Sequence, residues 1–191
     1  MKIALLSIIA FALINSSPTE IAESLKPKNS KIVHSVIQAN FSGATNVIIA
    51  FYETKYTMKD KYKTTRQFVE GYLLIPDGKN RYKKTLINKF EDDNVDSKIE
   101  SIFFANVDKD KDKELVIIST VQHNLQGLYE GTEYGITAYD TFDINHIPKQ
   151  LSKLNMPVES GFEGYTEETP NSHAKFKNAD AVKKELKRLG Y

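Results

Sequence analysis

The sequence predicts an α+β protein, mainly an antiparallel β-meander of about six strands with a C-terminal amphipathic helix packed on the sheet. Between residues 32 and 142, short runs rich in β-branched and aromatic residues alternate with turn residues. A clear helical period follows only after residue 177. The segment 17–191 has the size of one domain, so we expect a single β-rich domain there.

The N-terminal segment predicts export from the cytoplasm. Lys2 is followed by an apolar run over residues 3–14 that only Ser7 interrupts, and small polar residues occupy 15–17. A charged start, a short apolar run and a small-residue exit are typical of a signal peptide, and a membrane span needs roughly 20 apolar residues. We therefore expect a signal peptide at 1–16 and a periplasmic or secreted domain that contacts no membrane after its removal. An N-terminal anchor left uncleaved is the alternative.

Six strands are predicted from the β-rich runs and the turns between them. They cover residues 46–56, 68–75, 82–90, 99–106, 114–121 and 134–142. The sequence Pro76, Asp77, Gly78 separates the second run from the third, and this turn chemistry predicts an antiparallel pair.

The two ends of the domain carry helix signals. Ser17 before a proline, with Glu20 three residues on, predicts a short helix that ends before Pro27, although a loose terminus is equally consistent. Asn178 is a good N-cap for a terminal helix at 178–190. Its apolar stripe consists of Ala179, Val182, Leu186 and Leu189. We expect this stripe to pack on the sheet, with a membrane-surface or partner-binding helix as the alternative.

Two segments are predicted as long surface loops. One covers 155–171, which contains glycines, prolines and four glutamates. The other covers 122–134, where Leu125 and Leu128 are expected to cap the core. A binding role for this second loop is the alternative, because long loops often carry function.

The clearest chemical pattern lies at 106–114, an acidic loop that runs directly into the apolar residues 115–118. Oxygen-bearing side chains occupy every second position, namely Asn106, Asp108, Asp110, Asp112 and Glu114. Hard cations such as Ca²⁺ take about 6 to 8 oxygen ligands, and a tight turn of this kind can direct several at one ion. We predict a Ca²⁺ site with side-chain ligands from all of these residues except Asp112, which would give its backbone carbonyl.

This acidic loop resembles the calcium loop of FG-GAP and VCBS-type repeats in secreted and cell-surface proteins. The resemblance covers about 15 residues and implies a structural Ca²⁺ with adhesion or carbohydrate-surface roles. Such loops usually carry glycine at position 6, where a positive φ is favoured, and Lys111 stands there in this chain. We therefore expect backbone strain at Lys111, costing about 1 kcal/mol or more.

Two further interpretations of the acidic loop and its surroundings are consistent with the sequence. The acids alternate with lysines, so exposed ion pairs could satisfy them without a metal. Residues 39–49 also look like a shortened copy of 105–117 in which Asn40 matches Asn106 and the acids are missing. A propeller needs at least about 4 blades, which this chain cannot accommodate, but two related hairpins in one sheet are possible.

The composition and the absence of known motifs narrow the range of functions to be considered. Without residues 1–16, the chain has 25 basic and 25 acidic side chains, which are interleaved, so a nucleic-acid partner is not expected. There is no cysteine, so stability must come from the core or a bound ion. Nucleophile, zinc-protease, phosphate-loop and dinucleotide motifs are absent, and the four histidines are scattered.

The leading hypothesis is therefore an exported, non-enzymatic binding or structural domain with a protein or glycan partner outside the cytoplasm. The alternatives are a periplasmic immunity protein that neutralises a toxin and, third, a hydrolase that acts on surface polysaccharide.

Overall fold

The computed structural model describes residues 16–59, 61, 63–78, 81–91 and 97–191. In this part of the chain, ten strands form two antiparallel sheets, and a helix lies near each end. The expectation of a mainly antiparallel protein with a C-terminal helix is confirmed, whereas the single meander of six strands is wrong. The predicted signal peptide lies outside the described residues except for Ser16. Neither described helix is long and apolar enough to span a bilayer.

The first sheet is built around one long central strand. Its strands are β1 (Ser30–Ile32), β2 (Ile37–Phe41), β3 (Ala44–Thr57), β4 (Thr65–Pro76) and β5 (Tyr82–Phe90). Strand β3 pairs with β1 and β2 along one side and with β4 along the other, and β5 lies outside β4. The β4–β5 pair confirms the hairpin predicted from the Pro-Asp-Gly turn.

The second sheet repeats this plan. Its strands are β6 (Ser97–Ala105), β7 (Glu114–Leu125), β8 (Tyr129–Tyr139), β9 (Lys153–Leu154) and β10 (Gly161–Thr166). The order is β6, β7, β8, and both β9 and β10 pair with the far side of β8. Strand β7 therefore runs between the acidic loop at its start and the β7–β8 turn at its end.

The two sheets pack face to face, and each outer face is covered by a helix. The core between them includes Ile49, Phe51 and Leu73 from the first sheet and Leu115 and Ile117 from the second. Helix α1 (Pro18–Ser24) packs its buried face on the outer side of β3 and β4. Helix α2 (Ala179–Arg188) packs on the outer side of β6, β7 and β8, as predicted. The layers are thus helix, sheet, sheet, helix.

Both helix starts follow the sequence signals. The hydroxyl of Ser17 accepts the backbone N–H of Glu20, and the carboxylate of Glu20 accepts the N–H of Ser17, forming a complete capping box. The helix therefore forms, and the loose terminus considered from the sequence is not observed. The side chain of Asn178 caps α2 by accepting the N–H of Ala181.

The single-meander prediction fails for a physical reason. Because α1 covers one face of β3 and the second sheet covers the other, β3 is buried on both faces over Val47–Tyr52 and shows no polar alternation. The expected surface loop at 155–171 also contains β10, since its glycine-rich sequence gives a weak strand signal. The strands β1, β2 and β9 are too short to show a period.

Candidate metal centre

The acidic loop connects β6 to β7 and is folded by its own side chains. The side-chain oxygen of Asn106 accepts the N–H of Lys109 at 2.8 Å, and its amide nitrogen donates to the carbonyl of Asp110 at 2.5 Å. One oxygen of Asp108 accepts the N–H of Asp110, and one oxygen of Asp110 accepts the N–H of Asp112, at 3.1 and 2.7 Å. Asn and Asp favour such bonds to backbone a few residues ahead, so this sequence turns sharply here.

The strained backbone position is Lys109, at position 4 of the loop, where φ is 72°. Lys111 does not have a positive φ, so the strain expected there from the family resemblance is misplaced by two residues. The ammonium nitrogen of Lys109 lies 4.7 Å from the centre of the Tyr191 ring, which is a cation–π arrangement.

Glu114, the first residue of β7, is the buried member of the loop. Its side chain is completely inaccessible to solvent. One carboxylate oxygen accepts the N–H of the buried Val107 at 2.7 Å, while the other, Oε1, has no hydrogen-bond partner. Burial raises the pKa of Glu114, and the nearby charges of Asp108 and Asp110 raise it further, while the bond from Val107 acts in the opposite direction.

Three carboxylates of the loop come together. Asp108, Asp110 and Glu114 each offer an oxygen, and these oxygens lie within 4.8 Å of one another. The two aspartates are exposed and Glu114 is buried, so the group opens to solvent on one side only. This acidic cluster could hold a metal ion.

The loop's lysines do not neutralise the cluster. Across the described ranges, Lys109, Lys111 and Lys113 form no ion pair with any carboxylate. Exposed pairs were the metal-free way to satisfy these acids, and they are not observed. The like charges of the cluster therefore face one another without an ion pair to any lysine or arginine in the described part of the chain.

The five predicted ligands thus have different surroundings. The structure brings together Asp108, Asp110 and Glu114, whereas the amide of Asn106 is occupied by hydrogen bonds that shape the turn. The carbonyl of Asp112 as a ligand stays a prediction. Sequence reasoning missed Val107, which is buried and donates its N–H to Glu114. Its signal was a single apolar residue inside an otherwise charged loop.

The shortened copy of this hairpin is the β2–β3 turn. It lies in the first sheet, so the two related hairpins belong to different sheets rather than to one. A groove of about 550 Å³ separates their turns, lined by residues 40–45 on one side and by Asp112 and Lys113 on the other. The two hairpins are therefore neighbours in space.

No protein-family model, curated protein or solved structure matches this chain.

Proposed function

We propose that this chain is an exported, non-enzymatic binding or structural domain in which Ca²⁺ stabilises the acidic loop at 106–114. The observation that supports the proposal most strongly is the burial of the Glu114 carboxylate. A carboxylate that is fully buried, with one oxygen lacking any partner and two further carboxylates close by, is costly unless a cation compensates it.

The chemistry of the donors favours Ca²⁺ among the common metal ions. All three carboxylates are hard oxygen ligands, and the cluster contains no histidine or cysteine of the kind that zinc prefers. Ca²⁺ binds oxygen at about 2.3 to 2.6 Å, so two ligands on one ion can be separated by up to roughly 5 Å. The separations within 4.8 Å are compatible with that limit.

The ion would act on the fold rather than on a substrate. It would bind Oε1 of Glu114, which has no other partner, and offset the repulsion among the three carboxylates. It would also connect the loop to the start of β7, because Glu114 is the first residue of that strand. Because β7 contributes Leu115 and Ile117 to the core between the sheets, this connection would stabilise the whole domain. Solvent and the remaining loop oxygens would complete the coordination.

The location outside the cytoplasm and the FG-GAP/VCBS resemblance are parts of the same proposal. Sites as weak as about 10⁻⁴ to 10⁻³ M are useful in extracellular modules, where calcium is abundant. The absence of cysteine supports this reading, because a domain without disulfides in an oxidising compartment gains from a stabilising ion.

The experiment is thermal unfolding during a Ca²⁺ titration of the full chain. A ligand that binds only the folded state at about 100 times its Kd stabilises by about 2.7 kcal/mol. For a domain of this size we expect a rise in Tm on the order of 5 to 10 °C. Asp108→Ala combined with Asp110→Ala should abolish the rise.

The matched control is Glu167→Ala combined with Glu168→Ala, which also removes two exposed acids but at the other end of β7. This variant should keep the full response to Ca²⁺. A Tm that does not change with millimolar Ca²⁺, or a response that survives in the loop variant, would contradict the proposal.

A further inference from the structure

The β7–β8 turn exposes large apolar side chains. Leu125 is 60% exposed and Leu128 is 56% exposed. Tyr165 of β10, which pairs with the start of β8, is 40% exposed. We call residues 125–130 and 165–168 the tip. The expectation that the two leucines cap the core is wrong, because the turn extends past the core into solvent.

The tip carries acidic side chains and no lysine or arginine of its own. No lysine or arginine occurs between Lys113 and Lys149 or between Lys153 and Lys175. The acids of the tip itself are Glu130, Glu167 and Glu168. In the adjoining strands, Glu163 is already paired with Lys177 at 3.3 Å and Glu133 contacts His123 at 3.0 Å. The chain as a whole is nearly neutral, with a formal net charge of +1, so this concentration of negative charge is local.

Hydrogen bonds hold the tip in one shape. The N–H of Leu128 donates to the carbonyl of Leu125 at 2.9 Å, closing the turn. The N–H of Gly127 donates to the Glu130 carboxylate at 2.5 Å. The N–H of Glu167 donates to the carbonyl of Leu128 at 3.1 Å and joins the two parts of the tip. An interface formed from such a preorganised turn loses little conformational entropy on binding.

Three aromatic rings pack together at the base of the tip. The rings of Tyr129 and Phe162 are stacked with their centres 4.4 Å apart, and His123 meets Tyr129 edge-on at 4.5 Å. His123 also contacts the Glu133 carboxylate at 3.0 Å. The stack ties β8 to β10, so the leucines project from a rigid base.

We propose that the tip is a docking surface for a protein partner whose contact face is basic around an apolar pocket. Leu125 and Leu128 would fill the pocket, and the exposed glutamates of the tip, Glu130, Glu167 and Glu168, would meet the partner's lysines and arginines. Exposed apolar groups framed by charge mark interaction sites, and complementary charge speeds association and selects the partner. An anionic membrane would repel the same surface.

The proposed binding function underlies this inference, but the tip is separate from the metal centre. The acidic loop and the tip lie at opposite ends of the 12-residue strand β7, about 35 to 40 Å apart along it. Calcium binding and partner docking can therefore fail independently.

The test must distinguish binding of a different protein from binding of a second copy of this chain. The β3–β4 hairpin of the first sheet carries the exposed lysines Lys55, Lys59, Lys61 and Lys63. Met58 in the same hairpin is 38% exposed. This basic hairpin could complement the acidic tip of another molecule.

The experiment is selection of a random phage-displayed peptide library on the immobilised full chain. We expect enriched peptides to combine Lys or Arg with Leu, Phe or Trp, and to bind less tightly as salt is raised. Leu125→Ser combined with Leu128→Ser should weaken them at least about tenfold, as loss of a hot spot does. Glu167→Gln combined with Glu168→Gln should weaken them several-fold.

Met58→Ser is the matched control, because it removes a similarly exposed apolar side chain from the basic hairpin. It should leave peptide binding unchanged, and circular dichroism should show that all variants keep their fold. Enrichment of peptides that lack basic residues, binding unaffected by the leucine variant, or no enrichment at all would overturn the proposal. So would concentration-dependent dimerisation in sedimentation equilibrium that the leucine variant abolishes.

A calcium titration of the same preparation shows which claim has failed. A normal rise in Tm with no peptide selected rejects the docking surface alone, whereas peptide binding with no calcium response rejects the metal centre alone.

Discussion

The two related hairpins differ in how their polar groups are satisfied. In the β2–β3 hairpin, Ser42 and Gly43 form a two-residue turn with positive φ at both positions. The hydroxyl of Ser42 donates to the carbonyl of Phe142 and accepts the N–H of Phe142, and the side chain of Asn40 accepts the N–H of Asn46. Hydrogen bonds within the protein therefore satisfy the polar side chains of the first hairpin.

The β6–β7 hairpin is longer, and one of its buried polar atoms has no hydrogen-bond partner. Asn106 occupies the place of Asn40, but the loop continues through three aspartates to Glu114, whose Oε1 has no partner. Two hairpins of the same plan can therefore be stabilised in different ways. One uses protein hydrogen bonds, and the other, as we propose, uses a cation.

The largest effect among single substitutions is expected at Ser42. Ser42→Ala removes both hydrogen bonds to Phe142 and should lower the free energy of unfolding by about 1 to 2 kcal/mol. The loss should be the same with and without Ca²⁺, because the first hairpin contains no acidic cluster. Urea unfolding in both conditions measures it, and a loss that depends on Ca²⁺ would show that the two hairpins are not independent.

A smaller and opposite effect is expected at Glu114. Glu114→Gln keeps an acceptor for Val107 and removes the buried charge, so the metal-free protein should gain about 1 kcal/mol of stability. The same variant should lose its response to Ca²⁺. Unfolding in chelator and in calcium separates the two effects, and a destabilised metal-free variant would argue that Glu114 is already satisfied by the chain.

Features that depend on interactions between residues close in sequence could be predicted, whereas features that depend on tertiary packing could not. The capping box at Ser17, the cap at Asn178, the Pro-Asp-Gly hairpin and the alternating acids of 106–114 are local patterns, and each was predictable. The split into two sheets was not, because it depends on which apolar faces meet across the core. The burial of Glu114 and the exposure of Leu125 are likewise consequences of tertiary packing.

Lys109 should show a still smaller effect. Lys109→Gly relieves a positive φ that costs a lysine about 1 kcal/mol, but it also removes the cation–π contact with Tyr191, worth about 0.5 to 1 kcal/mol. We expect a net gain of only a few tenths of a kcal/mol together with tighter Ca²⁺ binding, because one positive charge leaves the loop. Isothermal titration calorimetry measures the affinity. Lys111→Gly is the control, because it removes the same charge at a position without a positive φ, and it should tighten binding without a gain in stability. A gain in the free energy of unfolding in the control alone would place the strained position at Lys111.

The smallest effect concerns pH and a second carboxylate of the same sheet. Hydrogen bonds from His173 and Lys177 hold the pKa of Glu163 below its ordinary value of 4.5, opposite to the direction at Glu114. A lowered pKa gives stability that is present above pH 4.5 and lost as the pH falls through the lowered pKa. Glu163→Gln should therefore lower the Tm slightly at neutral pH, and the difference should vanish in acid. A difference that persists in acid would assign the effect to packing.

The most direct test of the metal centre is a crystal structure grown in millimolar Ca²⁺. We expect one ion with oxygens of Asp108, Asp110 and Glu114 at about 2.3 to 2.6 Å, and with Oε1 of Glu114 among them. Density without an ion at this loop, with the three carboxylates held apart by water, would contradict the account.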